Sequence, residues 1–461
     1  MIWLILFIGL VLRFISINQS LWLDEATSIL AARDFSVKEL LTIFSPGDFH
    51  PPLYYLLLKV WISIFGTSEI VARSLSVLFG IATIPILYLI GKKLFGHATG
   101  LVAAFFLATA PLHIYYSQEA RMYVPTTFFA TTAVFFFLSI LQEKRVRNSL
   151  WVGFITSSAF LIYIDYLPIL LFGFFAVHLL FVEKKKLIIL GKEWIVSLIS
   201  VAVLFLPWVP TLFFQLQTGL LVKVNAPEWW KVLGRTSVKE LLLVPVKFTI
   251  GRISSYDKIF YVSSLVLPSI LFGLLFLRSL TFWNKTKFVW IWLIIPIVIA
   301  ALLGIWLSVF SYFRLLFVLP AFYLLLAASS LSIKKDFLRI VAVSGVIIVN
   351  LVATSIYLLN PRFHREDWRG AVSFIEENSR ENSAAIFVTK NQRDPYRYYS
   401  KAVPSYGPEG LEQEFSKVWL VRYVQPIFDP QDQLRQKLEK IGYRKLSERD
   451  FNGVVIWEYE K

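Results

Sequence analysis

The sequence predicts a polytopic α-helical membrane protein that ends in a small α/β domain. Hydrophobic residues occupy 57% of the 461 positions and fall into long blocks. That share exceeds the usual share of soluble domains. Eleven of the blocks are long enough to cross a hydrocarbon layer of about 30 Å, whereas none follows residue 359. These two observations predict a membrane part of residues 1–359 and a soluble part of residues 360–461.

The eleven predicted spans begin close to the N-terminus. The first apolar run lacks a small-residue cleavage site, so we expect a retained signal-anchor helix and not a removed signal peptide. Runs of roughly 17–25 apolar residues are typical of transmembrane helices. The predicted spans are residues 2–17, 70–90, 98–116, 124–141, 149–164, 166–182, 194–213, 259–277, 288–309, 314–331 and 337–358.

The distribution of basic residues predicts which side each loop faces. With the N-terminus inside, the short loops after even-numbered spans carry fifteen Lys and Arg residues, whereas the short loops on the other side carry little beyond Arg121 and Arg314. Positive residues concentrate in cytoplasmic loops. We therefore expect residues 18–69, residues 214–258 and the C-terminal domain to face outward.

One apolar stretch, residues 53–65, is too short to be counted as a span. It has 13 residues and contains Lys59. Counting it as a span would turn every later basic cluster outward. We therefore expect it to lie along the outer interface, as does the amphipathic stretch of residues 35–44 before it.

Charge and residue patterning define the C-terminal part. It has 17 basic and 16 acidic residues, so the net charge of +15 lies almost wholly in the membrane part and does not indicate a nucleic-acid partner. Residues 384–388, 418–424 and 454–459 are predicted strands, and helices are predicted from Trp368 and over residues 431–440. The absence of cysteine excludes disulfide and thiol chemistry.

The candidate functional residues gather at the predicted outer surface. Charged groups are nearly absent from the interiors of the spans, whereas a transporter places such groups near the bilayer midplane. A lipid-linked sugar flippase or a solute transporter remains the alternative function. The candidate residues are Asp24, Glu25, His50, Lys59, Arg73, Glu119, Arg121, Tyr123 and Arg314.

This set of residues suits the transfer of a sugar from a lipid phosphate. Attack by an acceptor hydroxyl needs a base, for which Asp24 is the candidate. The phosphate that leaves needs positive charge, which His50, Arg121 and Lys59 can supply. Glu25 could orient the acceptor, hold a divalent metal ion or face water. Glu119, Tyr123, Arg73 and Arg314 are candidates for acceptor binding or support, and for Lys59 and Arg73 snorkelling to the interface is the simpler interpretation.

Several motifs in a fixed order resemble those of one superfamily. They are LWLDEA at residues 21–26, HPPLYY at 50–55, GKKLFG at 91–96 and SQEARMY at 117–123, with Arg73 between the second and the third. Together they are similar to the GT-C glycosyltransferases, and in particular to the bacterial relatives of the protein O-mannosyltransferases in glycosyltransferase family 39 and to the aminoarabinose transferases of lipid A. The resemblance covers roughly residues 1–210.

The resemblance implies an inverting glycosyltransferase in the plasma (inner) membrane that serves the cell envelope. It implies a polyprenyl-monophosphate sugar as donor and a protein, lipid or glycan acceptor outside the cytoplasm. Asp24 matches the acidic residue of the family's first loop, implied to act as the base, and Glu25 matches its neighbour. His50 and Arg121 match positions linked to the donor phosphate. The resemblance assigns no role to residues 360–461.

Overall fold

A computed structural model describes residues 1–225 and 234–461, so residues 226–233 of the predicted second outer loop lie outside the described residues. Helices account for most of the membrane part. Their bounds are Ile2–Phe14, Leu23–Asp34, Val37–Glu39, Ser45–Gly47, Leu53–Phe65, Glu69–Phe95, His97–Ala108, Pro111–Ser117, Tyr123–Gln142, Asn148–Ile164, Leu171–Phe181, Lys184–Ile189, Gly191–Phe205, Val209–Asn225, Val238–Ile250, Lys258–Leu280, Trp283–Leu303, Leu319–Leu331 and Asp336–Leu359.

Each of the eleven predicted spans coincides with apolar helix. Within the described residues, six helices have the length and hydropathy to cross a membrane, and a helix pair bent by 58° makes a seventh candidate. The remaining four predicted spans coincide with the shorter apolar helices Ile2–Phe14, Asn148–Ile164, Leu167–Phe181 and Leu316–Leu331. The multi-pass helical fold class is thus confirmed, while the number of spans stays a prediction.

A buried arginine explains how the bent helix pair is held together. The bend separates His97–Ala108 from Pro111–Ser117, and a helix that breaks at proline leaves carbonyl groups without donors. Arg13, which is fully buried, donates to the carbonyl oxygen of Ala108 at 3.0 Å and also contacts Nδ1 of His113 at 2.7 Å. The sequence analysis did not single out this arginine.

Small residues allow two neighbouring helices to approach closely. A Cβ atom added to Gly91 would lie 2.8 Å from the Cα of Gly100 on the following helix. Close backbone contact of this kind is common between membrane helices, because van der Waals packing and not water exclusion holds them together.

The C-terminal part forms a five-stranded sheet. Its strands are β1 (Ser383–Phe387), β2 (Ser405–Tyr406), β3 (Lys417–Val421), β4 (Arg444–Phe451) and β5 (Val454–Glu460), in the order β2-β1-β3-β5-β4. β1 is parallel to β2 and β3, whereas β5 is antiparallel to β3 and β4. β1, β3 and β5 fall on the three strands predicted from the sequence.

Helices cover both faces of this sheet. The helix Trp368–Asn378 packs against Phe387 and Trp419 on one face, and the helix Gln433–Lys440 packs through Leu434 against the other. Two further helices are Asp394–Tyr399, whose Tyr396 joins the cluster around Trp368, and Gln425–Phe428. The sequence prediction missed β2, which has two residues, and β4, whose charged and largely exposed side chains lack an apolar face.

The C-terminal part packs directly on residues 18–69, the predicted first outer loop. The backbone N–H of Leu21 donates to the hydroxyl of Tyr399 at 2.9 Å, and the hydroxyl of Thr27 donates to Asp394 at 2.8 Å. Leu23 packs against the apolar cluster around Trp368. These contacts place the helix Leu23–Asp34, hereafter the loop helix, between the membrane helices and the sheet.

Candidate active site

The loop helix presents its two acidic residues in different environments. Asp24 and Glu25 lie in the first turn, and successive residues of a helix point about 100° apart. The Asp24 side chain is 38% exposed, whereas that of Glu25 is fully buried. The predicted acidic pair is therefore one accessible and one enclosed carboxylate.

Glu25 is held by a bidentate ion pair with Arg73. The Nε and Nη2 atoms of Arg73 donate to Oε1 and Oε2 of Glu25 at 2.8 and 2.6 Å. The same guanidinium donates to the carbonyl oxygens of Ile17, Gln19 and Ser20 at 2.6–2.9 Å. Arg73 thus fixes the end of the first helix to the loop helix, and it is buried instead of snorkelling to the interface.

The second partner of Glu25 lies in the loop between two membrane helices. The backbone N–H of Ala120 donates to Oε1 of Glu25 at 2.8 Å. Burial alone would raise the pKa of Glu25, but the charges of Arg73 and Arg365 and these hydrogen bonds outweigh burial and lower it. Because both oxygens are engaged, these contacts favour a positioning role for Glu25, and its catalytic role stays a prediction.

Asp24 faces Arg121, and this contact is looser. The Nη2 atom of Arg121 lies 3.6 Å from Oδ2 of Asp24, beyond hydrogen-bond distance. The side chain of Arg121 is only 5% exposed and donates to the hydroxyl of Ser28 at 3.0 Å, while its Nε has no hydrogen-bond partner among the described residues. The pair therefore retains unused hydrogen-bonding capacity on both sides.

The structure adds Asp48 to the predicted site. Asp48 accepts hydrogen bonds from the Tyr55 hydroxyl and from Nδ1 of His50, the latter at 3.2 Å. Burial would raise the pKa of Asp48, but His50, Arg121 and Tyr55 together lower it. Since Asp48 holds Nδ1, it directs Nε2 of His50 away from itself, as second-sphere carboxylates do for other functional histidines.

Lys59, predicted to bind the donor phosphate, does not join this group. Its Nζ donates to the carbonyl oxygens of Ala32 and Phe35 at 3.0 and 2.6 Å, at the C-terminal end of the loop helix. A cation there satisfies carbonyls that have no intrahelical donor and is favoured by the helix dipole. Lys59 therefore caps the loop helix, and its assignment to phosphate binding stays a prediction that these contacts do not support.

Glu119 and Tyr123 lie on either side of Arg121 in the chain, and both are buried. Glu119 accepts from Nη2 of Arg365 at 3.0 Å, while its Oε1 has no hydrogen-bond partner within the described part of the chain. Burial raises the pKa of Glu119 to about 7, against the opposing charges of Arg365 and Arg252. Tyr123 packs edge-on against Tyr116 and Phe313.

Two further arginines lie at the border of this group. Arg314 is half-buried and donates to the carbonyl oxygen of Ser308 at 2.8 Å, within electrostatic range of Tyr123. Arg252 was not predicted; it is solvent-exposed and donates to the hydroxyl of Tyr115 at 2.9 Å. Its position just after the helix Val238–Ile250, at an outer helix end, was a sequence signal that could have identified it.

The metal-binding alternative receives no support from the side-chain positions. Within residues 1–225 and 234–461, no three His, Cys, Asp or Glu side chains come close enough together to hold a metal ion. Glu25, the residue for which a metal ion was considered, already uses both oxygens on Arg73.

The site as a whole combines an accessible carboxylate with buried positive charge. Asp24 can accept a proton from a bound hydroxyl group, because its carboxylate is partly exposed and has only the loose contact with Arg121 among the described ion pairs. Arg121 and His50 can contact an anion on the other side. An arrangement of this kind suits a displacement in which a phosphate leaves as a hydroxyl loses its proton.

Comparisons with known proteins agree with the motifs. Residues 49–210 match the family described as dolichyl-phosphate-mannose-protein mannosyltransferase. An uncharacterized protein of Aquifex aeolicus (strain VF5) is 27% identical over 145 residues, which span 31% of this chain and 28% of that protein.

Solved structures resemble nearly the whole chain. ArnT from Cupriavidus metallidurans, bound to undecaprenyl phosphate, has a TM-score of 0.58 at 14% identity over 99% of this chain and 97% of its own. The archaeal oligosaccharyltransferase AglB from Archaeoglobus fulgidus, in complex with an inhibitory peptide and a dolichol-phosphate, has a TM-score of 0.55 at 12% identity over 99% and 74% of the two chains.

These matches confirm the resemblance that the sequence motifs predict. The structural likeness includes the C-terminal sheet, since it extends over 99% of the chain. The protein therefore shares its fold with ArnT and AglB, and its residues 49–210 match the dolichyl-phosphate-mannose-protein mannosyltransferase family.

Proposed function

We propose that this protein is a glycosyltransferase that moves a sugar from a polyprenyl-monophosphate donor to an acceptor on the extracytoplasmic side of the plasma membrane. The observation that carries the proposal is the contact of a partly exposed carboxylate, Asp24, with a buried guanidinium, Arg121, at 3.6 Å. ArnT and AglB support the donor class, since each was solved with a polyprenyl phosphate bound. The excess of basic residues in the alternate loops supports the outward orientation.

In the proposed reaction, an acceptor hydroxyl attacks the anomeric carbon while its proton passes to Asp24. The new bond from oxygen to the anomeric carbon forms as the bond from that carbon to the phosphate oxygen breaks. The electron pair of the broken bond stays with the polyprenyl phosphate. A single displacement of this kind inverts the configuration at the anomeric carbon.

Arg121 and His50 would bind the phosphate of the donor. A guanidinium suits this task because it stays charged and donates in a fixed planar geometry. His50 would reach the same region through Nε2, since its Nδ1 is held by Asp48, a carboxylate that also interacts electrostatically with Arg121. Both groups would stabilise the charge that grows on the phosphate as it leaves.

The base assignment is tested by Asp24→Asn in the purified full-length protein. Turnover with a polyprenyl-phosphate sugar should fall at least about 10²-fold, because asparagine cannot accept the proton. Asp34→Asn is the matched control, since Asp34 lies at the other end of the loop helix and pairs with exposed Arg33. Equal turnover of wild type and D24N would remove Asp24 from the chemistry.

The donor assignment is tested by Arg121→Ala. Loss of a charge-assisted contact costs about 1.5–3 kcal/mol, so the Kd for undecaprenyl phosphate should rise about tenfold or more. Arg33→Ala provides a control that removes an exposed cation from the loop helix, which Arg121 contacts. A donor radiolabelled in its sugar separates transfer from transport in vesicles, because a transporter would move the label across the membrane with its phosphate bond intact.

A further inference from the structure

Four buried charged groups from separate parts of the chain meet behind the proposed site. Arg73 and Glu25 come from the membrane part and the first outer loop, Glu119 comes from the loop that carries Arg121, and Arg365 comes from the C-terminal part. The side chains of all four are at most 2% exposed. Because buried charges are stable only when they are paired, each of the four depends on the others.

Arg365 bridges the two carboxylates of this group. Its Nε lies 3.3 Å from Oε2 of Glu25, and its Nη2 lies 3.0 Å from Oε2 of Glu119. The guanidinium also stacks over the ring of Tyr115, with 4.6 Å between Cζ and the ring centroid. Without Arg365, Glu25 and Glu119 would repel each other at close range in a region that water does not reach.

The two carboxylates in turn flank the chain segment that carries Arg121. Glu25 accepts from the backbone N–H of Ala120, and Glu119 is anchored by Arg365. Residues 119 and 120 are thus both held, so the direction in which Arg121 leaves the backbone is set by the same charges. The side chain of Arg121 then reaches Asp24 and Ser28 on the loop helix.

We propose that Arg365, a residue of the C-terminal part, is a positioning residue for sugar transfer. It acts through Glu25 and Glu119 and fixes Arg121 beside Asp24. This inference rests on the proposed function, and it makes residues 360–461 an integral part of the active site instead of an appended domain. Arg365 does not touch the substrate in this account.

A neighbouring arginine provides a matched control. Arg369 also belongs to the C-terminal part and also pairs with the membrane part, through Glu69 at 2.5 Å and Asn18 at 3.1 Å. It differs in being 41% exposed and in having no contact with Glu25 or Glu119 among the described hydrogen bonds and ion pairs. Arg369→Gln therefore weakens docking of the C-terminal part without disturbing the buried charges.

The test compares Arg365→Gln, Arg365→Lys and Arg369→Gln in the purified full-length protein. We expect R365Q to lower kcat/KM for a polyprenyl-phosphate sugar at least about tenfold, R365K to recover part of the loss, and R369Q to stay within about twofold of wild type. The Kd for undecaprenyl phosphate, measured without turnover, should follow the same order. Equal losses in R365Q and R369Q would show that Arg365 only docks the C-terminal part and would overturn the proposal.

A double-mutant cycle keeps the test informative if R365Q is poorly folded. Glu119→Gln removes one of the two charges that Arg365 holds, so R365Q should cost less in the E119Q background than in wild type. Additive losses would contradict the positioning role. Wild type that binds undecaprenyl phosphate but transfers no sugar would instead refute the proposed function, while the order of Kd values would still decide on Arg365.

Discussion

The ion pair between Arg73 and Glu25 offers a sharp test of how the first outer loop is held. Arg73→Met keeps most of the side-chain volume but removes the guanidinium. Five hydrogen bonds are lost, two to Glu25 and one each to the carbonyl oxygens of Ile17, Gln19 and Ser20. We expect a loss of folding free energy of about 3–5 kcal/mol, because the carboxylate of Glu25 keeps its charge in a buried place.

A second ion pair isolates the effect of burial. Arg33 and Asp34 also approach to 2.6 Å, the N–O distance of the Arg73–Glu25 pair, but their side chains are 42% and 39% exposed. Water and salt screen such a pair, so Arg33→Met should cost only about 0–1 kcal/mol. The two substitutions therefore change the same residue type at the same contact distance, but Arg73 is buried and also donates to three carbonyl oxygens.

The measurement is the free energy of unfolding of the purified protein in mild detergent, for R73M, R33M and the double variant R73M/E25Q. The double variant should recover part of the loss in R73M, because it removes the unpaired charge. If R73M and R33M were equally stable, burial would not control the strength of these pairs. The assignment of Glu25 as a positioning residue would then lose its physical basis.

Two further predictions concern residues whose roles the structure redefines. Lys59→Met should lower the free energy of unfolding, because the carbonyls of Ala32 and Phe35 lose their donor. The Kd for undecaprenyl phosphate should stay within about twofold of wild type. A Kd that rises tenfold would instead support Lys59 as a ligand of the phosphate. Glu119 should make stability depend on pH, since its pKa of about 7 in the folded protein exceeds its ordinary value of 4.5. The folded state binds the proton more tightly, so this contribution to stability is present at low pH and is lost as pH rises through about 7. The measurement is thermal unfolding at pH 5 and pH 8, where Glu119→Gln should be more stable relative to wild type at the higher pH. Glu412→Gln, at an exposed position, is the control and should show no such gain. A difference between E119Q and wild type that does not change with pH would contradict the raised pKa.

Much of the fold follows from residue patterns along the chain. Long apolar runs predict the helices of the membrane part, and β-branched and aromatic runs predict β1, β3 and β5. β4 could not be predicted in this way, because the residues of Arg444–Phe451 are mostly charged and exposed. Its place in the sheet comes from pairing with β5, which is a property of the hairpin and not of β4 alone.

The different environments of Asp24 and Glu25 became clear once the helix was in place. As neighbours in sequence they look equivalent, and the resemblance to known transferases covers both. One signal was available: Glu25, Ile29 and Ala32 follow the spacing of one helix face, and all three are buried. A carboxylate on the apolar face of a helix requires a buried cation, and Arg73 is that cation.

Other members of the site depend on contacts between distant parts of the chain. Arg365 meets Glu119 across 246 positions, and no local pattern around either residue indicates the other. Asp48 could more easily have been predicted from the sequence, since it precedes His50 by only two positions; its carboxylate orients the His50 ring. Arg13 could be identified in the sequence as a single charged residue within an apolar run. Charged residues are rare inside membrane helices and usually have a structural or functional role there.

The loop helix carries one buried carboxylate, Glu25, and one partly exposed carboxylate, Asp24, and the proposed transfer uses this difference. In the proposed transfer Asp24 is the general base, which must exchange its partners during each turnover. It can do so because its contact with Arg121 is long and partly solvated. Such a group is held in place only if something nearby is fixed. Glu25 supplies the fixed point, since Arg73 holds the residue next to Asp24 from within the protein. The enclosed carboxylate thus keeps the accessible one at a constant distance from Arg121, which is the geometry that the proposed transfer requires.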